Sequence, residues 1–291
     1  MTPQNCLKLI AAIVLYVTAA QPHANELGAQ APKIAIIIDD IGYNLPQGRI
    51  AARFPAPLTL AVLPHAPNSH SLAKLGHQHG KEIMLHAPMS TINPHPLDQG
   101  GLRESMDHGT FIATLRDNIA AIPYITGLNN HMGSALTQHQ QSMNWLMQEL
   151  QYQGLFFVDS RTTASSVALH TAQDYDIPSR SRDIFLDHER TTEAVDRQFQ
   201  KLLQVARKQG SAIAIGHPAP VTMDYLSGQL AQLDSLGVQL VNVSELIPQA
   251  PPKPSTIADL IPTTDTTETV EAIKEQTLPK GYFPEDRVTV Y

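Results

Sequence analysis

The stretch Ile34-Ala35-Ile36-Ile37-Ile38-Asp39-Asp40 decides the fold, because an uninterrupted apolar run ends there in two adjacent carboxylates. An apolar run without polar alternation reads as a strand buried on both faces, the pattern of a parallel sheet covered by helices. Carboxylates delivered to the end of such a strand are costly to bury unless a cation or hydrogen bonds compensate them. For an isolated Asp-Asp pair the more ordinary reading is that Asp39 caps a turn and Asp40 stays in solvent. The rest of the chain decides between the two.

Working outward, further strand candidates occupy 58–63, 82–85, 127–130, 155–158, 184–186, 212–215 and 238–241. Amphipathic stretches fall between them. Residues 138–151 place Met143, Leu146, Met147 and Leu150 on one helical face, and residues 192–209 do the same with Val195, Phe199, Leu202, Leu203 and Ala206. Gly154 and Gly210 follow these helices, where a left-handed residue ends a helix and turns the chain into the next strand. This alternation predicts an α/β fold, an irregular (β/α) barrel of about seven parallel strands.

In such a barrel every strand delivers its carboxyl end to one rim. The polar residues at those ends form a pattern: Asp39-Asp40, Pro64-His65, His86-Ala87-Pro88-Met89, Asn130-His131-Met132-Gly133-Ser134, Asp159-Ser160-Arg161-Thr162, Asp187-His188 and Gly216-His217-Pro218. Any one of these is an ordinary structural residue. Asp and His recurring at nearly every strand end are the donor set of a hard or borderline divalent metal. His70, His77, His79, His95, His108, His139 and His170 fall away from the rim and read as solvated.

The chain has 291 residues and a net charge of -7, with 20 Lys and Arg against 27 Asp and Glu. That balance, with no basic block and 5% aromatic residues, argues against a nucleic-acid partner. Residues 1–25 read as an export signal: Lys8 precedes an apolar segment from Leu9 to Ala20, and small residues follow. The segment is short for a membrane span, so cleavage is expected, with retention as an anchor the alternative. The single cysteine, Cys6, lies before that segment, so a processed chain carries no thiol chemistry. Residues 30–248 hold the barrel, and 249–291, rich in Pro and Thr, read as a disordered tail able to tether an envelope protein partner.

The segments Ile36–Gly42, Leu85–Met89, Asn130–Ser134, Phe157–Thr162 and Ile215–Pro218 together resemble the divergent polysaccharide deacetylase family over about residues 33–246. The resemblance implies a carbohydrate-esterase type of (β/α) barrel, one divalent ion, zinc by expectation, and a glycan or peptidoglycan-like substrate in the periplasm or cell envelope. It implies Asp39 as catalytic base, with Asp40 and His86 as metal ligands. Ser90 stands where the family's usual second histidine of a His-x-x-x-His segment would be, so the resemblance assigns the third ligand to His131. The arginine that steadies the base is also missing from its usual place, and Arg161 or Arg182 is expected to substitute. His217 then serves as the acid for the departing amine, oriented by Asp187 or Asp159. Arg161, Asn130, Ser134 and His65 are the expected substrate contacts. A non-catalytic glycan- or peptide-binding module on the same fold is the competing expectation.

Overall fold

The computed structural model describes residues 31–93 and 95–248. The isoleucine run forms β1 (Lys33–Ile41), and around it lie β2 (Thr59–Val62), β3 (Glu82–Met89), β4 (Ile125–Met132), β5 (Phe156–Asp159), β6 (Ser179–Ser181), β7 (Ile184–Phe185), β8 (Ser211–Gly216) and β9 (Gln239–Leu240). Every ladder among them is parallel. The order is β6-β5-β4-β3-β2-β1-β8-β7, with β9 beside the start of β1. Among the described residues seven α-helices cover the outside: α1 (Leu45–Ala52), α2 (Ser69–Gln78), α3 (His108–Ala121), α4 (Gln140–Gln153), α5 (Ala168–Asp174), α6 (Thr192–Gln209) and α7 (Pro220–Leu230).

The parallel α/β barrel expected from the sequence is therefore present, with nine strands among the described residues instead of about seven. Its irregularity lies at one seam. Ser179–Ser181 pairs with β5 and Ile184–Phe185 pairs with β8, so one extended segment changes partner at Arg182 and Asp183. Arg182 N donates to Asp159 O and Asp183 N to Ile213 O, each at 2.9 Å, which bridges the seam without a continuous ladder. The expected signal segment and tail, 1–25 and 249–291, lie outside the described residues. No helix among the described residues is long and apolar enough to cross a membrane.

Strand periodicity explains why β1 is apolar throughout. Ile34, Ile36 and Ile38 point into the layer beneath the helices, while Ala35 and Ile37 point into the barrel with Ala61, Met84, Phe156, Val158, Ile213 and Ile215. Gly127 belongs to this inner layer: a Cβ there would sit 2.3 Å from the Phe156 ring, so the ring occupies the space a side chain would need. The amino end of the barrel is plugged by the short helix Val243–Leu246, whose Val243 and Leu246, with Ile247, pack on the inner layer. Its Glu245 side chain accepts from Asn242 N, which fixes the turn. With that end filled, the carboxyl end is the open one.

Candidate metal centre

The alternation that buries Ala35 and Ile37 puts Asp39 above them, facing into the barrel mouth. In a regular strand its neighbour Asp40 would point the other way. Instead the β1–β2 register breaks between Ile38 and Ile41, and Asp40 has φ 57°. This bulge turns the second carboxylate onto the same site. Met132 and Arg161, at the ends of β4 and β5, also have left-handed backbones, with φ of 53° and 52°. Strained residues of this kind collect where a fold must aim side chains.

β3 continues to Met89, so His86 stands within the strand, paired with Asn129, while His131 pairs with Pro88. His86 and His131 are thus diagonal neighbours on the inner face of adjacent strands, where long side chains meet. The register explains how the third ligand can come from β4 when Ser90 occupies the position one helical-style step beyond His86. His131 Nδ1 lies 3.0 Å from His86 Nε2 and 3.0 Å from Asp40 Oδ1, and His86 Nε2 lies 3.3 Å from Asp40 Oδ1.

The proton positions follow from the partners. The carboxylate of Asp39 accepts only, so Asn129 Nδ2 donates to Asp39 Oδ1 at 2.9 Å, and Asn129 Oδ1 faces His86 Nδ1 at 2.7 Å. The His86 proton is held on Nδ1, leaving the Nε2 lone pair aimed at the triangle. Asp98 Oδ2 stands 3.3 Å from His131 Nε2 and fixes that ring in the opposite sense, with Nδ1 inward. Tyr43 in turn donates its hydroxyl to Asp98 Oδ1 at 2.6 Å. With both rings neutral, three acceptor atoms converge, and Asp40 Oδ1, buried, has no well-aligned hydrogen bond.

That convergence fits a cation. Tetrahedral zinc with Zn–N of 2.0–2.1 Å spaces its ligand atoms about 3.3–3.4 Å apart, close to the edges seen here. Asp40, His86 and His131 are the one such group found among the described residues. The same lone pairs attract protons: although burial opposes it, Asp39 and Asp40 push His86 up to about 9. Burial also opposes ionisation of Asp40, but His131 and His86 outweigh it and hold the carboxyl well below the usual carboxylate range. Asp39 goes the other way. Its burial dominates His86 and Asn129, so its carboxyl is raised, as suits a base working near neutral pH.

Opposite Asp39 stands His217, whose Nε2 lies 3.6 Å from Asp40 Oδ2. The buried Asp187 accepts from His217 Nδ1 at 2.9 Å, and its other oxygen accepts from His217 N at 2.7 Å and Thr222 Oγ1 at 2.8 Å. Burial works against charge on the ring, but Asp187 first, then Asp40 and Asp39, raise it. Asp187 thus favours the protonated ring and orients it with Nε2 directed to the site. Two clefts of about 370 and 420 Å³ open on either side, sharing His131 and His217 in their walls.

Residues 36–247 match the model of the divergent polysaccharide deacetylase family. The chain belongs to that family. It is 34% identical over 217 residues to the uncharacterized protein YibQ of Escherichia coli (strain K12), covering 75% of this chain and 68% of YibQ. It is 38% identical over 229 residues to an uncharacterized protein of Haemophilus influenzae, covering 76% of this chain and 80% of that one. Among solved structures, an uncharacterized protein of Agrobacterium tumefaciens C58 shares the fold with a TM-score of 0.71 at 24% identity, covering 75% of this chain and 90% of that one.

This member of the deacetylase family brings together Asp39, Asp40, His86, His131, Asp187 and His217, as the sequence led one to expect. Other expected site residues take different work. Asp159 does not orient His217. Its Oδ1 accepts from Arg161 N at 2.7 Å and its Oδ2 from Ser166 Oγ at 2.8 Å, so it builds the loop after β5. His65 is turned away, with its Nε2 3.0 Å from Asn118 Oδ1 and 3.3 Å from Asp117 Oδ2 on α3. Ser134 accepts from Ile92 N at 3.2 Å and lines neither cleft. Asn130 reaches a cleft wall, but its amide donates to Met132 O and accepts from Ser160 N, so it braces the loops. Arg161 lines the larger cleft with Arg182. Neither arginine makes the expected hydrogen bond to Asp39; the amide of Asn129 does. Asn129 was legible two residues before His131, on the same strand face. Asp98 and Tyr43 carried no signal.

Proposed function

We propose that this chain is an exported metal-dependent hydrolase that removes N-acetyl or related acyl groups from an envelope glycan. The observation that carries the reading is the triangle of Asp40, His86 and His131, with the buried Asp39 and the Asp187-paired His217 flanking it at the meeting of two clefts. Export is supported by the apolar segment Leu9 to Ala20.

A divalent ion held by Asp40, His86 and His131 supplies a Lewis acid that polarises a carbonyl and acidifies water. Asp39 accepts a proton from the water that attacks the carbonyl carbon. Asn129 holds Asp39 Oδ1, leaving Oδ2, 3.6 Å from His86 Nε2, to take that proton. The C–N bond then breaks as His217 gives its Nε2 proton to the leaving nitrogen. Amine and acetate are the products. Asp187 keeps the imidazolium oriented throughout and does not itself need to gain a proton.

The test is acetate release from chito-oligosaccharides and peptidoglycan fragments by zinc-loaded protein, run beside the Asp39→Asn variant. Release by the wild type and its loss in the variant, with metal content unchanged, supports the reading. Tight glycan binding without any release favours a binding module instead.

A further inference from the structure

The two clefts that meet at the metal triangle differ in charge. The smaller, beside the starts of α1 and α7, mixes signs, with Asp40, Asp98 and Arg190 in its walls. The larger carries Arg161, Arg182 and His188, and its single carboxylate is Asp39, the base. A substrate lying across the site therefore meets an excess of positive charge on one side only.

Arg182 is fixed there before any ligand arrives. Its Nε donates to Ser160 O at 2.8 Å, its Nη2 to Arg161 O at 3.1 Å, and its guanidinium sits 5.0 Å from the centre of the Phe185 ring. These contacts use two of the five N–H donors that a guanidinium carries. The side chain is half-buried, yet among the described residues no carboxylate comes within 4 Å of it. Asp39, Asp159 and Asp183 act on it only through space. A partly desolvated cation without a partner is a cost that an incoming anion removes.

Arg161 stands next to it on a left-handed backbone, held by the buried carboxylate of Asp159 through Arg161 N. Its side chain likewise makes no ion pair among the described residues. Arg161, exposed on this left-handed turn, lines the same cleft as Arg182. Since Asn129 already steadies Asp39, neither arginine is needed for that task.

We infer that the larger cleft is an anion subsite, and that the acylated glycan is one bearing a carboxylate on a sugar beside the acylamino group. The inference rests on the hydrolase reading for the reacting bond, and on the cleft alone for the charge of the neighbouring group. Planar guanidinium pairs suit a carboxylate through two parallel N–H···O bonds.

The experiment measures binding to the full-length, zinc-loaded Asp39→Asn variant by calorimetry. The probes are an N-acetylglucosamine oligomer, the same length of oligomer with lactyl carboxylates on alternate sugars, and one with phosphate esters in their place. The carboxylated oligomer should bind about tenfold tighter than the neutral one, with the preference lost on adding Arg161→Gln and weakened by salt. Equal affinities, no binding by either, or a preference that survives both Arg161→Gln and Arg182→Gln overturns the subsite. A phosphorylated oligomer that binds tighter than the carboxylated one overturns the carboxylate assignment. Acetate release by the wild type is followed in parallel. If it fails on all three probes while the binding preference holds, the hydrolase reading falls and the subsite stands.

Discussion

The two ends of the barrel are built from the same strands and solve opposite problems. At the amino end, Glu82 accepts from Thr59 Oγ1 at 3.2 Å, Ser244 N at 3.1 Å and Thr126 Oγ1 at 3.2 Å, and a short helix fills the opening. The Glu82 carboxylate there is met by three neutral donors. At the carboxyl end, Asp40 Oδ1 has no well-aligned hydrogen bond and faces His131 Nδ1 at 3.0 Å and His86 Nε2 at 3.3 Å, and Asp40, Met132 and Arg161 are left-handed, as Tyr124 and Asp176 are ahead of β4 and β6. The contrast teaches where stability and chemistry reside. The floor is closed by the chain's own hydrogen bonds and apolar packing, with Ser179 Oγ and Asn242 Oδ1 left unpartnered among the described residues, whereas the mouth gathers Asp40, His86 and His131 in an arrangement that suits a bound cation.

The largest effects are expected at the mouth. His86→Ala or His131→Ala should remove bound zinc, taking metal content by mass spectrometry from one per chain to none. Full occupancy in either variant breaks the contrast. Asp39→Asn and His217→Ala should each lower turnover by about 10²–10⁴-fold while leaving that content at one. Next comes Asp98→Ala, which leaves His131 without its orienting carboxylate. Zinc affinity should fall about 10–100-fold in a chelator competition, with the unfolding midpoint of the metal-free chain little changed.

Floor substitutions should act in the reverse sense. Glu82→Ala strands the donors of Thr59 and Ser244, while Thr126 keeps Ile83 O, and should cost about 1–3 kcal/mol in urea unfolding without altering zinc stoichiometry. A loss of zinc would mean that the two ends are not independent. The smallest effect concerns a site remote from both. Arg116 on α3 makes two hydrogen bonds, at 2.9 and 2.8 Å, to the buried Glu149 on α4. Although burial raises the Glu149 carboxyl, Arg116 and Gln153 outweigh it and hold the carboxyl below its ordinary 4.5. A depressed carboxyl contributes stability above its unfolded value and loses it as pH falls through the folded one. Wild type should therefore lose stability more steeply than Glu149→Gln as pH falls below the ordinary 4.5, and parallel curves would show that the ion pair adds no stability.

The sequence made some of this legible and hid the rest for physical reasons. Apolar runs announce strands, so the eight runs all correspond to strands of the fold. β6 is Ser-Arg-Ser, and nothing in its composition separates it from a loop. β3 and β4 run further toward the mouth than expected because His86 and His131 are polar residues that keep the ladder while pointing into the opening. The Asp-Asp pair marked the site, but the bulge that makes both carboxylates face it depends on the pairing of β1 with β2. Asn129 could be reached by alternation from His131. Asp98 could not, because a loop residue meets a histidine in β4 only through tertiary packing.

The most direct test is an anomalous-scattering map at the zinc edge from crystals of the zinc-loaded chain. The account predicts one peak per chain, about 2.0–2.2 Å from Asp40 Oδ1, His86 Nε2 and His131 Nδ1, with Asp39 outside bonding distance. A peak bound by other side chains, or none between these three atoms at full zinc loading, would contradict it.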